Sequence, residues 1–341
     1  MKNVLKYTVS LLIAGGLMWY VFHDIDASAL LAKLKEVRYG WVVVAAIIFL
    51  ISYGTRAYRW NLLLKPLGYP HLNLLRTVTA VSIGYFANLL VPRLGEVSRC
   101  GVLKRLDDVP LTTGLGTVVA ERLIDLVTLL LVTLVLFVAE FDRLSGFIGG
   151  FAADRVDNAG EALFSVYIFG GIVGLLGLLF WAIGRVWKAQ LKRSALFQKI
   201  RTFLREVARG LASIGSIENK IGFWMSTLLL WTCYFFMSYV VFFALPETEN
   251  LTPWAGVAVL VMGSFGMAAP VQGGFGTFHA LVSGVLVLYG VSESDGVLFA
   301  TLVHGLQTLS FIVFGAVAFV LASVLPPRKQ PTDRLLNTTA V

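Results

Sequence analysis

The sequence predicts an all-α, polytopic membrane protein with six full spans and two broken or re-entrant hairpins, arranged as an inverted-topology repeat. Three observations carry that prediction. Of 341 residues, 57% are hydrophobic and 14% charged, with a mean hydropathy of +0.79, whereas a soluble domain carries about a quarter charged residues. Apolar runs recur at the ~20-residue length that crosses a ~30 Å hydrocarbon core. The segments between them alternate in charge, as topology signals do. The net charge of +8 is therefore read as orientation information, with no nucleic-acid partner expected.

The first span is the apolar run from Tyr7 to Phe22. No small-residue cleavage site follows it, so it is read as a membrane helix rather than a signal peptide. Asp24 to Arg38 places Leu30, Leu31, Leu34 and Val37 on one face, the pattern of a short amphipathic helix at the outer interface. The other full spans are Trp41 to about Thr55, Thr113 to Ala139, Leu163 to Ile183, Ile221 to Leu245 and Val297 to Leu325.

Loop charges orient these spans. Residues 185–220 hold nine Lys/Arg against Glu206 and Glu218, which places that loop in the cytoplasm. Lys2 and Lys6 put the N-terminus inside, and Arg328, Lys329 and Arg334 put the C-terminal tail inside. The segment from Glu140 to Glu161, with five acids and two arginines, lies outside, as do Glu247/Glu249 and Glu293/Asp295. The expected location is thus a cytoplasmic (inner) membrane with both termini cytoplasmic.

Parity then constrains the broken segments. Between Lys65 and Thr113, both inside, the chain crosses an even number of times, yet only one apolar run, Leu74 to Val91, is present. A re-entrant hairpin with Pro92 near its tip satisfies this. Between Glu249 and Glu293 the same argument gives either a hairpin or two short spans, broken at Pro270 to Gly276. Helix, helix, hairpin, helix occurs twice with opposite starting sides, the architecture of many secondary transporters. The whole of residues 1–325 reads as one membrane domain, with repeats at about 1–140 and 162–325. A polar tail, residues 326–341, follows and is expected to be disordered. Leu191 to Leu211, alternating basic and apolar, fits either an inner-leaflet segment or an ordinary topogenic loop.

Four clusters carry candidate chemistry. Arg56 and Arg59 share a face at the end of the second helix, with Trp60 beside them. A guanidinium fork suits phosphate, and snorkelling interfacial anchors are the alternative. Asn88 to Arg99 breaks an apolar run with Pro92, Arg93, Gly95, Glu96 and Arg99; irregular charged backbone at membrane depth is tolerated only where it is enclosed in protein or lines a watery cavity. A helix restarting there would offer its N-terminal amides to an anion. Glu121, Arg122 and Asp125 lie inside the next span, at about 2.5–3.5 kcal/mol each unless paired or hydrated. They fit a static salt-bridge network, a headgroup site, or both. The fourth cluster is Pro270, Gln272, Gly273, Gly274, Gly276 and His279, with His304 and Gln307 in the last span. It suits the broken tip of a transporter hairpin, with each histidine either a packed, hydrogen-bonded residue or a polar ligand or proton carrier.

Cys100 and Cys233 have no metal-ligand spacing and read as buried thiols. His23 and His71 fall in loops without signal. No catalytic or metal motif is visible, so neither cofactor nor metal is expected and the chain is read as a non-enzyme.

The combination Arg56-x-x-Arg59-Trp60, Asn88…Pro92-x-x-Gly95-Glu96-x-x-Arg99, Glu121-Arg122-x-x-Asp125 and a Pro/Gly-rich hairpin resembles the lysylphosphatidylglycerol synthase transmembrane-region family, also called flippase-like domains. The resemblance runs from about Lys2 to Leu325. It implies movement of a lipid between leaflets. Lysyl transfer is not implied, since only about sixteen residues follow the last helix and the two-domain synthases carry a soluble transferase there. His279 stands where many family members have a glutamate, and histidine titrates near neutrality.

The function expected is a flippase or transporter for a phosphate-bearing (glyco)lipid or phospholipid. The headgroup site would comprise Arg56, Arg59, Arg93, Glu96, Arg99, Glu121, Arg122 and Asp125, with Arg56, Arg93 and Arg99 on the phosphate and Glu121 and Asp125 orienting those arginines or competing for them. Pro92, Gly95 and the Pro270–His279 hairpin would form the gate, with His304 and Gln307 as secondary polar groups. The partners expected are lipids with anionic headgroups; a homo-oligomer or envelope-assembly partners are compatible. The alternative is a membrane enzyme or accessory subunit acting on lipid-linked headgroups.

Overall fold

A computed structural model describes residues 15–23, 27–141, 143, 215–269 and 271–328, and every regular element among them is helical. The chain divides into two compact units, Met1–Leu136 with Val207–Val341, and Phe137–Glu206. Most of the second unit, including the expected span Leu163 to Ile183 and the segment Leu191 to Leu211, lies outside the described residues, as does Pro270.

In chain order the helices are α1 (residues 15–22), α2 (Ala27–Glu36), α3 (Tyr39–Leu64), α4 (Leu74–Leu90), α5 (Leu94–Asp107), α6 (Leu111–Ala139), α7 (Lys220–Tyr239), α8 (Pro253–Ala268), α9 (Thr277–Val287) and α10 (Glu293–Val324). Their starts are chemically marked. Asn73, Asn219 and Ser292 cap α4, α7 and α10 by accepting from the backbone N–H of Leu75, Gly222 and Asp295. Pro253 opens α8, where its missing N–H costs nothing.

Four apolar helical stretches are long enough to cross a bilayer: Tyr39–Leu67, Leu111–Ala139, Lys220–Ala244 and Glu293–Val324, of 25 to 32 residues. At 1.5 Å per residue each exceeds a ~30 Å core. Among the described residues α6 leaves Leu123, Leu126, Leu130, Leu131 and Leu134 exposed, a surface suited to hydrocarbon rather than water. The protein is a multi-pass membrane protein. Of the six spans expected, the N-terminal one is described only from residue 15, and four correspond to these long helices.

One boundary differs in a way that matters. Sequence reasoning ends the second span near Thr55, with Arg56, Arg59 and Trp60 at its cytoplasmic end. The helix instead continues to Leu64, because Trp60, Leu63 and Leu64 are fully buried beyond the arginines. The arginines therefore lie inside the protein and do not snorkel.

The two broken segments are both helical hairpins. In the first, α4 and α5 meet through glycine on glycine: a Cβ on Gly95 would lie 2.2 Å from the Gly84 carbonyl oxygen, so the backbones touch. Between them Val91 is extended and Arg93 adopts φ 64°, ψ 9°. Asn88 accepts from the Gly95 N–H at 2.7 Å, tying the end of α4 to the start of α5. In the second, α8 and α9 flank a turn in which Gly273, Gly274 and Gly276 all have positive φ, the region glycine enters freely. Thr277 Oγ1 donates to the Gly266 carbonyl at 2.8 Å, closing that hairpin. The tips meet: Gln272 Nε2 donates to the Leu90 carbonyl at 3.2 Å.

Two apolar cores support these hairpins. One joins the second hairpin to α10 and the 3-10 turn after α7, through Phe242, Val259, Val282, Leu286 and Phe299. The other joins α3, α4, α5 and α6 through Tyr53, Trp60, Val81, Leu103 and Val118, with Phe311 of α10. The helix expected over Asp24 to Arg38 is α2, with Leu34 and Val37 packed on the first core. The segment after α10 is held at its start, where the Arg328 N–H donates to the Leu106 carbonyl at 2.7 Å. Cys100 and Cys233 are buried free thiols.

Candidate functional site

The polar interior of the first unit is assembled by α3, α5 and α6, with a tyrosine each from α4 and α7. Helical spacing puts Arg56 and Arg59 on one face of α3, and Glu121 and Asp125 on one face of α6. Those faces meet. Arg56 Nε donates to Glu121 Oε1 at 2.7 Å and its Nη2 to Asp125 Oδ2 at 2.8 Å. Arg59 Nη2 lies 3.1 Å from Glu121 Oε1 and 2.8 Å from Asp125 Oδ1. From α5, Arg99 Nη2 donates to Glu121 Oε2 at 2.8 Å. One carboxylate, fully buried, thus takes hydrogen bonds from three arginines on two helices.

Aromatic groups complete the cluster. The Arg99 guanidinium lies 4.6 Å from the Trp60 ring centroid, a cation–π stack, while Trp60 Nε1 donates to Thr117 Oγ1 at 2.9 Å. Arg56 Nη1 donates to the hydroxyls of Tyr85 and Tyr234, the latter at 3.0 Å. Counting formal charges, three arginines face two carboxylates, which leaves one positive charge in excess. Buried charges are tolerated when paired and hydrogen-bonded, and the excess is what an incoming anion would neutralise.

The cluster opens onto a small, narrow cleft lined by Arg56, Gly84, Tyr85, Asn88, Glu96 and Arg99 among others. Arg122 and Glu96 sit at its rim as a more exposed ion pair 3.4 Å apart. Arg99 Nε has no hydrogen-bond partner among the described residues. The cleft therefore offers guanidinium donors from Arg56 and Arg99, an amide from Asn88 and a phenol from Tyr85, a set suited to an oxyanion such as phosphate.

Sequence-predicted residues divide accordingly. Arg56, Glu96, Arg99 and Arg122 line the cleft, and Arg59, Glu121 and Asp125 lie behind it as its charged floor. Gly95 lines it through the tight α4–α5 contact. Arg93 is exposed at the left-handed start of α5 and makes no ion pair among the described residues. Pro92 lies in the same turn. Gln272, Gly273, Gly274 and Gly276 form the second turn, which reaches the first hairpin at Leu89 and Leu90, next to Asn88. His279 and His304 are buried beneath that turn, and Gln307 is part-buried one helical turn further on. Sequence reasoning missed Tyr85 and Tyr234. The available signal was a tyrosine in the middle of an apolar run, away from the interfaces where tyrosine usually sits.

The model of one protein family, described as the lysylphosphatidylglycerol synthase TM region, matches residues 7–315. The chain belongs to that family. Among curated proteins, the chain is 24% identical over 314 residues to glycosyltransferase AglD of Haloferax volcanii, covering 85% of this chain and 50% of that protein. It is also 24% identical over 298 residues to UPF0104 membrane protein MJ1595 of Methanocaldococcus jannaschii, covering 80% of this chain and 83% of that protein. The chain therefore spans about half the length of AglD. No solved structure matches. The residues that carried the resemblance in the first half of the chain, apart from Pro92 in the turn, are the ones that build the cleft and its floor.

Proposed function

We propose that this protein moves a lipid with an anionic, phosphate-bearing headgroup between the leaflets of a cytoplasmic membrane, without chemical conversion. The observation that carries the reading is the cleft faced by Arg56 and Arg99, backed by a buried cluster with one more guanidinium than carboxylate. A phosphate entering it takes hydrogen bonds from Arg56, Arg99 and Tyr85, while Glu121 holds those arginines in place from behind. The acyl or prenyl chains stay in the bilayer. Because Glu121 already shares the arginines, the phosphate adds bonds only to donors that Glu121 and Asp125 leave over, such as Arg99 Nε, and neutralises the one charge in excess. That keeps headgroup binding weak enough for release.

In this reading the family's six spans form two inverted repeats with both termini cytoplasmic, and the two hairpins are re-entrant. At about 25 Å or less, α4, α5, α8 and α9 suit segments that dip into the membrane. Rocking of the repeats, with parting of the hairpin tips, exposes the cleft to each leaflet in turn. A second reading is kept because AglD is named a glycosyltransferase: the domain presents a lipid-linked headgroup to an enzyme.

The test is leaflet accessibility of fluorescent phosphatidic acid, phosphatidylglycerol and phosphatidylcholine in proteoliposomes of the purified chain, against Arg99→Gln. Movement of the anionic lipids, lost in Arg99→Gln when equal amounts of folded protein are reconstituted, is the expected result. No movement of any lipid by a folded wild type would sink the transport reading and leave the presentation reading.

A further inference from the structure

The second hairpin holds a pair of buried imidazoles that the cleft does not use. His279 of α9 and His304 of α10 are 3% and 1% exposed, with ring centroids 5.0 Å apart. His304 Nε2 bonds the Gly273 carbonyl at 2.8 Å. A carbonyl only accepts, so this nitrogen carries a hydrogen and Nδ1 is the basic position of the neutral ring. His279 Nδ1 is buried with no hydrogen-bond partner. Whichever tautomer His279 adopts, one polar atom is unsatisfied, and such atoms in a native interior call for an explanation.

The surroundings are apolar. Phe22 of α1 and Phe278 of α9 meet His279 edge-on, Phe275 meets His304 edge-on, and Phe278 stacks on His304. Residues 15–22, α8 and α9 contain no carboxylate and no basic side chain other than His279. The first hairpin contributes Leu89 and the Leu90 carbonyl to the turn above. On α10 the nearest acid towards its start is Asp295, nine residues or about 13 Å along the axis, and it is bound to Lys33. Among the described residues, His304 is thus the titratable group that faces His279, and the converse holds.

We propose that the His279–His304 pair binds a proton, and that its occupancy favours separation of the two hairpin tips. This rests on the transport reading and adds proton coupling to it. In the tips-together arrangement, a proton delivered from the medium to His279 Nδ1 is both a donor without an acceptor and a charge enclosed by phenyl rings, which is costly unless water solvates it. Water reaches the ring when the Gln272–Gly274 turn lifts from Leu89 and Leu90. The same turn is held from below by the His304–Gly273 bond, so the pair sits at the joint whose opening hydrates it. The proton biases an existing equilibrium towards the state that binds it better.

The experiment uses the full chain in liposomes with spin labels at Leu94→Cys and Phe265→Cys, in a background where Cys100 and Cys233 are serine. Tip separation and movement of fluorescent phosphatidic acid are read near pH 8 and near pH 6. A single linked proton permits at most about tenfold per pH unit. The expected result is a longer label distance and about fivefold or faster lipid movement at the lower pH. His279→Gln should remove both responses while keeping basal movement, and His304→Gln, whose amide can still donate to Gly273, should keep the fold and lose the response. Label distances that ignore pH, or a response unchanged in His279→Gln, would overturn the proton site. If the distances respond but no lipid moves, the transport reading fails and the proton site stands.

Discussion

Arg56 on α3 and Glu121 on α6 are joined at 2.7 Å although 65 residues separate them. Around that bond α3, α5 and α6 are fastened to one another in the middle of the apolar interior. Glu121 also takes Arg59 and Arg99, so its removal leaves three guanidiniums short of a partner. Glu121→Gln is expected to cost about 3–5 kcal/mol, the scale for breaking a buried pair from one side. Asp125→Asn, at a position that is partly exposed, should cost less. Thermal unfolding in detergent would rank the two, and equal losses would argue against Glu121 as the hub.

Arg99 touches both the carboxylate and the Trp60 face. Lysine keeps the charge but loses the planar fork and most of the stacking. Arg99→Lys should fold and should bind a short-chain phosphatidic acid about tenfold more weakly, equal to one charge-assisted hydrogen bond. Calorimetric titration measures it; unchanged affinity would remove Arg99 from the headgroup contact.

The glycines of the first hairpin are not interchangeable. A methyl on Gly95 would lie 2.2 Å from the Gly84 carbonyl oxygen and 2.7 Å from Asn88, whereas one on Gly101 meets nothing within 4 Å. Gly95→Ala must separate α4 from α5 and should cost more than about 3 kcal/mol. Gly101→Ala, in the same helix, should be neutral or stabilising by about 0.4–1 kcal/mol. Folded yield and melting temperature report both.

Lys33 on α2 lies outside the spans and bonds Asp295, with Glu247 3.5 Å away. The hydrogen bond to Asp295 holds the ammonium above its ordinary 10.5, against a smaller opposing effect of burial. A raised basic group lends stability that is complete below its unfolded value and drains as pH rises through the folded one. Stability of the wild type should therefore fall above pH 10.5 more steeply than that of Lys33→Gln. Parallel alkaline melting curves would show that the pair contributes nothing.

Much of this was readable in the chain. A proline, a glycine and charges in an apolar run announce a broken helix, and the turn at Val91–Arg93 is where they stand. Acids four apart must share a helical face, as Glu121 and Asp125 do. What the chain could not rank is partnership. Glu96 and Arg99 are neighbours in sequence, yet Glu96 pairs with Arg122 and Arg99 with Glu121, because α6 presents an arginine and a carboxylate side by side to that face of α5. Tyr85 and Tyr234 become donors' partners only once α4 and α7 converge on Arg56. The reach of α3 past Thr55 was also hidden, since polar residues inside a span look like its end until Trp60 and Leu64 are seen in the core.

The joint between the hairpins has a lopsided grammar. Gln272 supplies a side-chain amide, but Leu90 answers with its main-chain carbonyl. Every amino acid owns that carbonyl, so the joint is blind to what stands at position 90 and exacting about position 272. A saturation library should therefore drift freely at 90, towards any residue content in lipid, while 272 stays confined to side chains long enough to donate across the gap.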